Sequence, residues 1–242
     1  MRRFFIKKKL EVGNTYLIDG IEHNHMKNVM RMKVGDTAIF VCGDEFDYIG
    51  EIVSLSKGDT RILITDKQKN IYNPNADVTV FQALVKSDNM SLIVQKLTEL
   101  GVKTLVPFES EFITSKDKFN KTVKLQDVSN QSIKQCKRSI PMKVEGTISF
   151  NTLKNILNKY DVVIFANECE RTFNLNQLDI KTTDKVAIII GSEGGFSVDE
   201  IKELTSNGAK SISLGKRILR AETAAIALTS VIMCKLGEWN YE

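Results

Sequence analysis

The alternation of apolar and polar residues changes character near residue 70. Before that point, short alternating runs are separated by Gly-Asp turn signals, for example at Gly58-Asp59. Closely spaced short strands of this kind are typical of a small β-barrel. The predicted strands are Thr15–Ile18, Thr37–Val41, Tyr48–Leu55 and Arg61–Thr65, with one helix over His23–Met32.

After residue 76, short apolar runs alternate with stretches of helical spacing. Val78–Leu84 is the first run, Asp88–Leu100 follows with helical spacing, and Gly101 is expected to end that helix. Strands and helices that alternate in this way indicate a parallel sheet of the α/β class. Further strands are predicted at 103–106, Val162–Ala166, Val186–Ile190 and Ser211–Leu214, and helices at 119–138, Ser149–Tyr160, from N-cap Ser197, and Glu222–Leu236.

The segment between these two patterns, residues 69–76, contains one of only three prolines in the chain. We therefore place a boundary there and predict two domains, 1–72 and 76–242. A chain of 242 residues with 42% apolar side chains is long and apolar enough to bury substantial cores.

Several function classes are excluded by what the composition lacks. No run of 18 apolar residues exists, and the basic start has no apolar stretch after it, so neither a transmembrane helix nor a signal peptide is expected. The four cysteines form no Cys-x-x-Cys pair, which indicates reduced thiols in the cytoplasm and no metal site. With two histidines and no Gly-x-Ser-x-Gly motif, a serine hydrolase is disfavoured.

The formal net charge of +4 is unevenly distributed. Residues 1–35 carry a local net charge of +5 and residues 115–143 one of +6, whereas residues 36–80 carry −4. These basic regions are either separate lysine-rich surfaces or parts of one face that neutralises nucleic acid phosphates.

The strongest local motif is the glycine-rich turn Gly191–Gly195, which follows an apolar strand. Its spacing, Gly-x-x-Gly-Gly, does not match the Gly-x-Gly-x-x-Gly of dinucleotide-binding folds, and no phosphate-binding P-loop motif is present. A second glycine turn, Leu214–Leu219, follows the next strand and leads to Arg220 and Glu222. Because ligands of α/β sheets bind beyond the carboxyl ends of strands, the two turns predict a small-ligand pocket with these two side chains at its rim.

With the opening Met1–Phe5 and the blocks Gln95–Val102 and Lys134–Arg138, these turns resemble the ribosomal RNA small-subunit methyltransferase E family of the SPOUT superfamily. The resemblance covers nearly the whole chain. It implies a PUA-like RNA-binding β-barrel at the N-terminus and a SPOUT α/β domain with a C-terminal trefoil knot. It also implies a cytoplasmic homodimer that uses S-adenosylmethionine to methylate N3 of a uridine in the 16S rRNA of the small ribosomal subunit.

The resemblance implies roles for individual residues. The cofactor would be held by strand ends and glycine turns, namely Ala166, Glu168, Gly191, Glu193, Gly194, Gly195, Leu214, Gly215, Ile218 and Leu219. RNA would be bound by Arg2, Arg3, Lys7, Lys27, Arg31 and Arg138. We hypothesise that Arg220 stabilises negative charge on the uracil or orients the base, and that Glu222 fixes Arg220 or takes the proton.

Two positions depart from the family pattern. Ser192 stands where proline is usual, and Phe112 stands where arginine is common, so a cation is missing there. Two rival functions stay open at this point. A non-catalytic RNA-binding protein would bind no cofactor, and an oxidoreductase using Gly191–Gly195 would bind NAD.

Overall fold

A computed structural model describes residues 1–113 and 121–240. The chain divides into two compact units, Met1–Asn73 with Asn130–Pro141, and Pro74–Ser129 with Met142–Glu242. The domain limits expected from the sequence, 1–72 and 76–242, stay a prediction. The first unit is thus built from two segments that lie far apart along the chain.

The first unit contains a five-stranded sheet around one apolar core. Its strands are β1 (Arg3–Phe5), β2 (Thr15–Ile18), β3 (Thr37–Val41), β4 (Phe46–Leu55) and β5 (Thr60–Lys69). The order is β1-β3-β4-β5-β2, with β1 parallel to β3 and the other pairs antiparallel. Phe4, Phe40, Ile52 and Ile62 are fully buried in the core, which explains the apolar positions of the predicted strands.

A helix with an unusual turn connects β2 to β3. Where one helix was predicted over His23–Met32, the structure has α1 (Gly20–Asn24) followed by a π-helix over His25–Val29. The N–H of Met30 donates to the carbonyl of His25 at 2.9 Å, which is the wider hydrogen bond of a π-turn. The predicted helical stretch is confirmed, but it begins and ends about three residues earlier, and hydrophobic spacing does not distinguish an α-turn from a π-turn.

The second unit contains a fully parallel sheet. Its strands are β6 (Asp77–Ala83), β7 (Thr104–Glu109), β8 (Lys143–Val144), β9 (Ile148–Ser149), β10 (Val162–Ala166), β11 (Lys185–Ile190) and β12 (Lys210–Ile212). The order is β12-β10-β11-β6-β7-β8, and β9 also pairs with β7. The predicted α/β class is confirmed, although the short strands β1, β8 and β9 were not predicted.

Helices cover this sheet. They are α2 (Ser87–Leu100), α4 (Phe150–Ile156), α5 (Val198–Ser206), α6 (Ala221–Lys235) and the first part of α3 (Lys121–Cys136), whose residues from Asn130 on belong to the first unit. Residues 119–120 of the predicted second helix lie outside the described residues. Ser197 caps α5 as predicted, and the Glu200 carboxylate accepts from the Ser197 N–H at 2.9 Å. No helix in the described ranges is long and apolar enough to span a membrane.

Alternate residues of the central strands enter two cores on opposite faces of the sheet. In β10, Ile164 joins the core that contains residues of α2 and α6, while Phe165 joins the core that contains residues of α4 and α5. A parallel sheet is buried on both faces, so its strands are continuous apolar runs. The ends of these strands are therefore the accessible parts of the sheet.

Candidate active site

A cavity of about 530 Å³ opens in the second unit at the carboxyl ends of β10 and β11. It lies near the point where β6 neighbours β11, although four strands separate them along the chain. The chain leaves β6 toward β7 on one side and returns through β10 on the other, so the two connections diverge and leave a crevice. Its volume suits a small-molecule ligand.

The glycine turn after β11 forms one wall of the cavity. The N–H of Gly195 donates to the carbonyl of Ser192 at 3.0 Å, and Gly195 has a φ of +71°, which L side chains rarely adopt. Gly191 is packed so closely that an added Cβ would lie 3.2 Å from the carbonyl carbon of Gly195. The backbone of this turn can therefore approach a ligand, and side chains at these positions would distort it.

Ser192 and Phe112, the two residues that differ from the family pattern, contact each other beside this turn. The Ser192 hydroxyl donates to the Phe112 carbonyl at 2.9 Å and accepts from the Gly194 N–H at 3.3 Å. Gly194 does not line the cavity, and a Cβ there would lie only 2.8 Å from the Cβ of Phe112. Ser192 thus anchors the turn through its hydroxyl, while Gly194 permits close packing against Phe112.

The glycine turn after β12 forms a second wall. Leu214 and Leu219 are partly buried against the adjacent core, whereas Ile218 is 79% exposed although it lines the cavity. Gly215 has a φ of +99°, and its N–H donates to the Ser213 hydroxyl at 3.3 Å. The exposed Ile218 side chain is available to cover an apolar part of a ligand.

The end of β10 supplies a third wall. The Asn167 amide donates to the Ser211 hydroxyl at 3.1 Å and ties this segment to β12. The Glu168 carboxylate reaches toward the first turn, since a Cβ on Gly195 would lie 3.9 Å from Glu168 Oε1. Ala166 and Glu168, both predicted for cofactor binding, therefore line the same cavity as the two glycine turns.

Arg220 and Glu222 lie at the start of α6, and both line the cavity. Glu222 Oε2 is buried and has no hydrogen-bond partner. Within the part of the chain that the structure describes, no ion pair joins the two side chains. An unpaired buried carboxylate oxygen is costly, and a ligand that donates a hydrogen bond would satisfy it.

Several lining residues were not predicted individually, among them Lys86, Asn89 and Arg217. Lys86 and Asn89 come from the connection after β6 and the first turn of α2, and Arg217 comes from the second glycine turn. The Lys86 N–H donates to Glu193 Oε1 at 3.2 Å, which joins this connection to the first glycine turn. The sequence does show that Lys86 lies between a strand and a helix, where ligands of α/β sheets bind. It does not show that β6 lies beside β11, and only that strand order brings Lys86 to this cavity.

Glu170 closes the turn that follows Glu168. Its Oε1 accepts from the hydroxyl and the N–H of Thr172, both at 2.7 Å, and from the N–H of Phe173 at 3.1 Å. Hydrogen bonds to the ionised form, led by that from the Thr172 hydroxyl, lower the pKa of Glu170 to about 2. The ionised carboxylate therefore stabilises this turn.

We expect the substitution Glu170→Gln to make the free energy of unfolding depend less on pH in the acid range. The pKa of Glu170 is lower in the folded chain than its ordinary value, so its contribution is present above about pH 4.5 and is lost as the pH falls toward about 2. Urea unfolding across that interval should show a steeper loss of unfolding free energy in the wild type than in the variant. Equal slopes would contradict this assignment.

The predicted RNA-binding residues belong to the first unit but differ in exposure. The exposed ones are Arg2, Lys7 and Arg31. Lys27 is half-buried, and its ammonium donates to the carbonyl of Ser56 at 2.6 Å. Contact with RNA stays a prediction for all of them.

Arg3 and Arg138 are the buried members of that set. The guanidinium of Arg3 pairs with both oxygens of Asp47, at 2.9 and 2.5 Å, and only 6% of its side chain is exposed. Arg138 is 2% exposed. The local net charge of a segment does not show which of its arginines are buried. The burial of Arg3 and Arg138 was therefore not predictable from the sequence.

Two protein-family models together match most of the chain. The model of an RNA methyltransferase domain matches residues 72–233, and that of an RNA methyltransferase PUA domain matches residues 18–72. The ribosomal RNA small subunit methyltransferase E of Buchnera aphidicola subsp. Schizaphis graminum is 30% identical over 98% of this chain and 97% of its own length. The chain belongs to the ribosomal RNA small subunit methyltransferase E family. Another relative of that name, from Mesomycoplasma hyopneumoniae, is 32% identical over 94% of this chain and 97% of its own.

A solved structure of a protein of the same name has the same fold as this chain. The methyltransferase E of Neisseria gonorrhoeae, crystallised with S-adenosylmethionine, matches with a TM-score of 0.88 at 23% identity over 97% of each chain. The resemblance stated from the sequence and the SPOUT-type α/β fold with a PUA-like module are confirmed. The trefoil knot stays a prediction.

Proposed function

We propose that this chain transfers the methyl group of S-adenosylmethionine to N3 of a uridine in 16S ribosomal RNA. The observation that carries the proposal is the cavity between two glycine turns, with Arg220 and Glu222 on its wall, in a member of the methyltransferase E family. Family membership supports this activity over a non-catalytic RNA-binding role.

The residues around the cavity fit S-adenosylmethionine. The turn at Gly195 exposes backbone groups, Ile218 offers an apolar surface, and Glu168 offers a carboxylate near a cationic or hydroxyl-bearing ligand. The cofactor would be held by Ala166, Glu168, Gly191, Glu193, Gly195, Leu214, Gly215, Ile218 and Leu219, which all line the cavity.

The bound cofactor supplies an electrophilic methyl group on a sulfonium, and the chain supplies the rest. Uracil N3 is a poor nucleophile while it carries its proton, so the site must accept that proton or stabilise the anion. Arg220 stabilises negative charge that develops on the uracil carbonyl oxygens. Glu222, which does not bond to Arg220 in the described residues, holds or accepts the N3 proton through its unpaired oxygen.

The proposal includes the setting of the reaction. The substrate is 16S rRNA, free or in the small ribosomal subunit, and the enzyme works in the cytoplasm as a homodimer without a membrane partner. Support for the dimer comes from α6, an apolar helix that buries Ala225, Leu228 and Ile232 and still leaves Ile226 and Val231 partly exposed. Those two side chains offer an apolar surface to a second copy.

Calorimetry with S-adenosylmethionine, S-adenosylhomocysteine and NAD tests the cofactor. We expect the first two to bind and NAD not to bind. Binding of NAD without S-adenosylhomocysteine would overturn the proposal, and binding of none would favour the non-catalytic alternative. Nuclease digestion and mass spectrometry should find a methylated uridine in 16S rRNA of the wild-type strain that is unmethylated in a deletion strain, and its position tests the substrate.

A further inference from the structure

Two non-glycine residues with positive φ occur in the described ranges, and both are basic. They are Arg31, with a φ of +51°, and Lys137, with a φ of +68°, and both belong to the first unit. Glycine would adopt this conformation without strain, so each position keeps a cation at a conformational cost. Such outliers persist where the surrounding structure determines them, and they occur often at functional sites.

A hydrogen-bond network with Arg3, Asn70 and Asp47 determines the backbone at Lys137. Its carbonyl accepts from Arg3 Nη2 at 2.8 Å and from the Asn70 amide at 2.9 Å. Both donors also bind the Asp47 carboxylate, with Asn70 at 2.7 Å from Asp47 Oδ1. The side chains of Arg3 and Asp47 are only 6% and 4% exposed, so this anchor is rigid.

The side chain of Lys137 is held outward by this anchor. Its ammonium lies 5.1 Å from the centre of the Tyr72 ring, and both residues are exposed. They line a cavity of about 550 Å³ whose lining residues all belong to the first unit, and Arg2 lines it as well.

The other cations of this cavity are already paired. Arg3 binds Asp47, and the ammonium of Lys134 lies 2.9 Å from the Glu22 carboxylate. Arg2 and Lys137 are the lining cations that make no ion pair in the described part of the chain. The cavity therefore combines an exposed aromatic ring with two available positive charges.

We infer that this cavity binds one unpaired nucleotide of the RNA substrate. The Tyr72 ring stacks on the base, and Lys137 and Arg2 contact the flanking phosphates. The flexible stem of Lys137 lets its ammonium leave the ring for a phosphate, so the base can occupy that ring face. Arg3 positions Lys137 through its hydrogen bond to the Lys137 carbonyl. The inference rests on the proposed function, because it takes RNA as the substrate.

Charge-removing variants of the full chain test this inference. The probe is a fluorescein-labelled single-stranded RNA of mixed sequence, with its duplex as comparison. We expect Lys137→Gln to weaken single-strand binding up to about tenfold and to lower the slope of log affinity against log salt by about 0.7. Tyr72→Leu should weaken binding without that change of slope, because it removes stacking and leaves the charge.

The matched control is Lys67→Gln. Lys67 is also an exposed lysine of the first unit over an aromatic ring, 4.7 Å from the centre of Phe46, but it does not line the cavity. Equal RNA affinity of the Lys67 and Lys137 variants would overturn the inference, and so would an equal loss of single-strand and duplex binding.

Lys137→Gly separates binding from folding. Glycine suits the positive φ, so the unfolding free energy should stay equal or rise while single-strand affinity falls as in Lys137→Gln. A destabilised glycine variant would show that the lysine serves the fold, which would contradict the assignment. The Kd of these variants for S-adenosylmethionine should equal that of the wild type. If the proposed function is wrong, the calorimetry shows no cofactor binding, whereas if this inference is wrong, the RNA titration shows unchanged affinity.

Discussion

Replacement of Arg220 by alanine is expected to lower the turnover number for RNA methylation by about 10²–10³-fold at saturating cofactor and RNA. The reason is that the variant loses the positive charge opposite the developing uracil anion. The calorimetric Kd for S-adenosylmethionine should change little, because Arg220 acts on the second substrate. Transfer of a radiolabelled methyl group to RNA measures the turnover number, and calorimetry measures the Kd.

Two companion variants sharpen that result. Arg220→Lys keeps the charge but loses the planar guanidinium, so its rate should lie between those of the wild type and the alanine variant. Lys210→Gln removes an exposed positive charge at the start of β12 that does not line the cavity, and its rate should equal that of the wild type. Wild-type turnover in the alanine variant would refute the role of Arg220.

The second large effect is expected at Gly195. Gly195→Ala places a side chain at a φ of +71°, which costs about 1–2 kcal/mol. A turn that relaxes to relieve this strain no longer presents its backbone to the cavity. The Kd for S-adenosylmethionine should therefore rise about tenfold, the equivalent of about 1.4 kcal/mol.

Gly208→Ala is the matched control for Gly195→Ala. Gly208 has a φ of +84°, and an added Cβ there meets no atom within 4 Å, so the two alanine variants share the backbone strain. Chemical denaturation should show similar losses of stability, whereas only the Gly195 variant should bind the cofactor weakly. Similar cofactor affinity in both variants would show that the turn does not hold the ligand.

Local chemistry made much of the second unit predictable. Ser197 is the N-cap of α5, as expected, and Gly101 ends α2 in the left-handed conformation. Both features depend on residues within a few positions of each other, so the sequence carries them directly. The two glycine turns were predictable for the same reason.

Features that depend on distant residues were not predictable. Lys86 reaches the cavity because β6 pairs with β11, a pairing that hydrophobic patterns do not specify. Arg3 is buried because Asp47 meets it from a strand far along the chain. The π-helix escaped prediction for a different reason, since one extra residue in a turn hardly changes the apolar spacing.

The two-segment construction of the first unit affects how the chain folds during synthesis. Asn73 donates to the Ser139 hydroxyl at 2.8 Å, and Asn70 donates to the Lys137 carbonyl, so both amides depend on residues made much later. At translation rates of about 5–20 residues per second, the first segment spends several seconds without these partners. The first unit therefore reaches its final hydrogen bonding only after the ribosome has released part of the second unit.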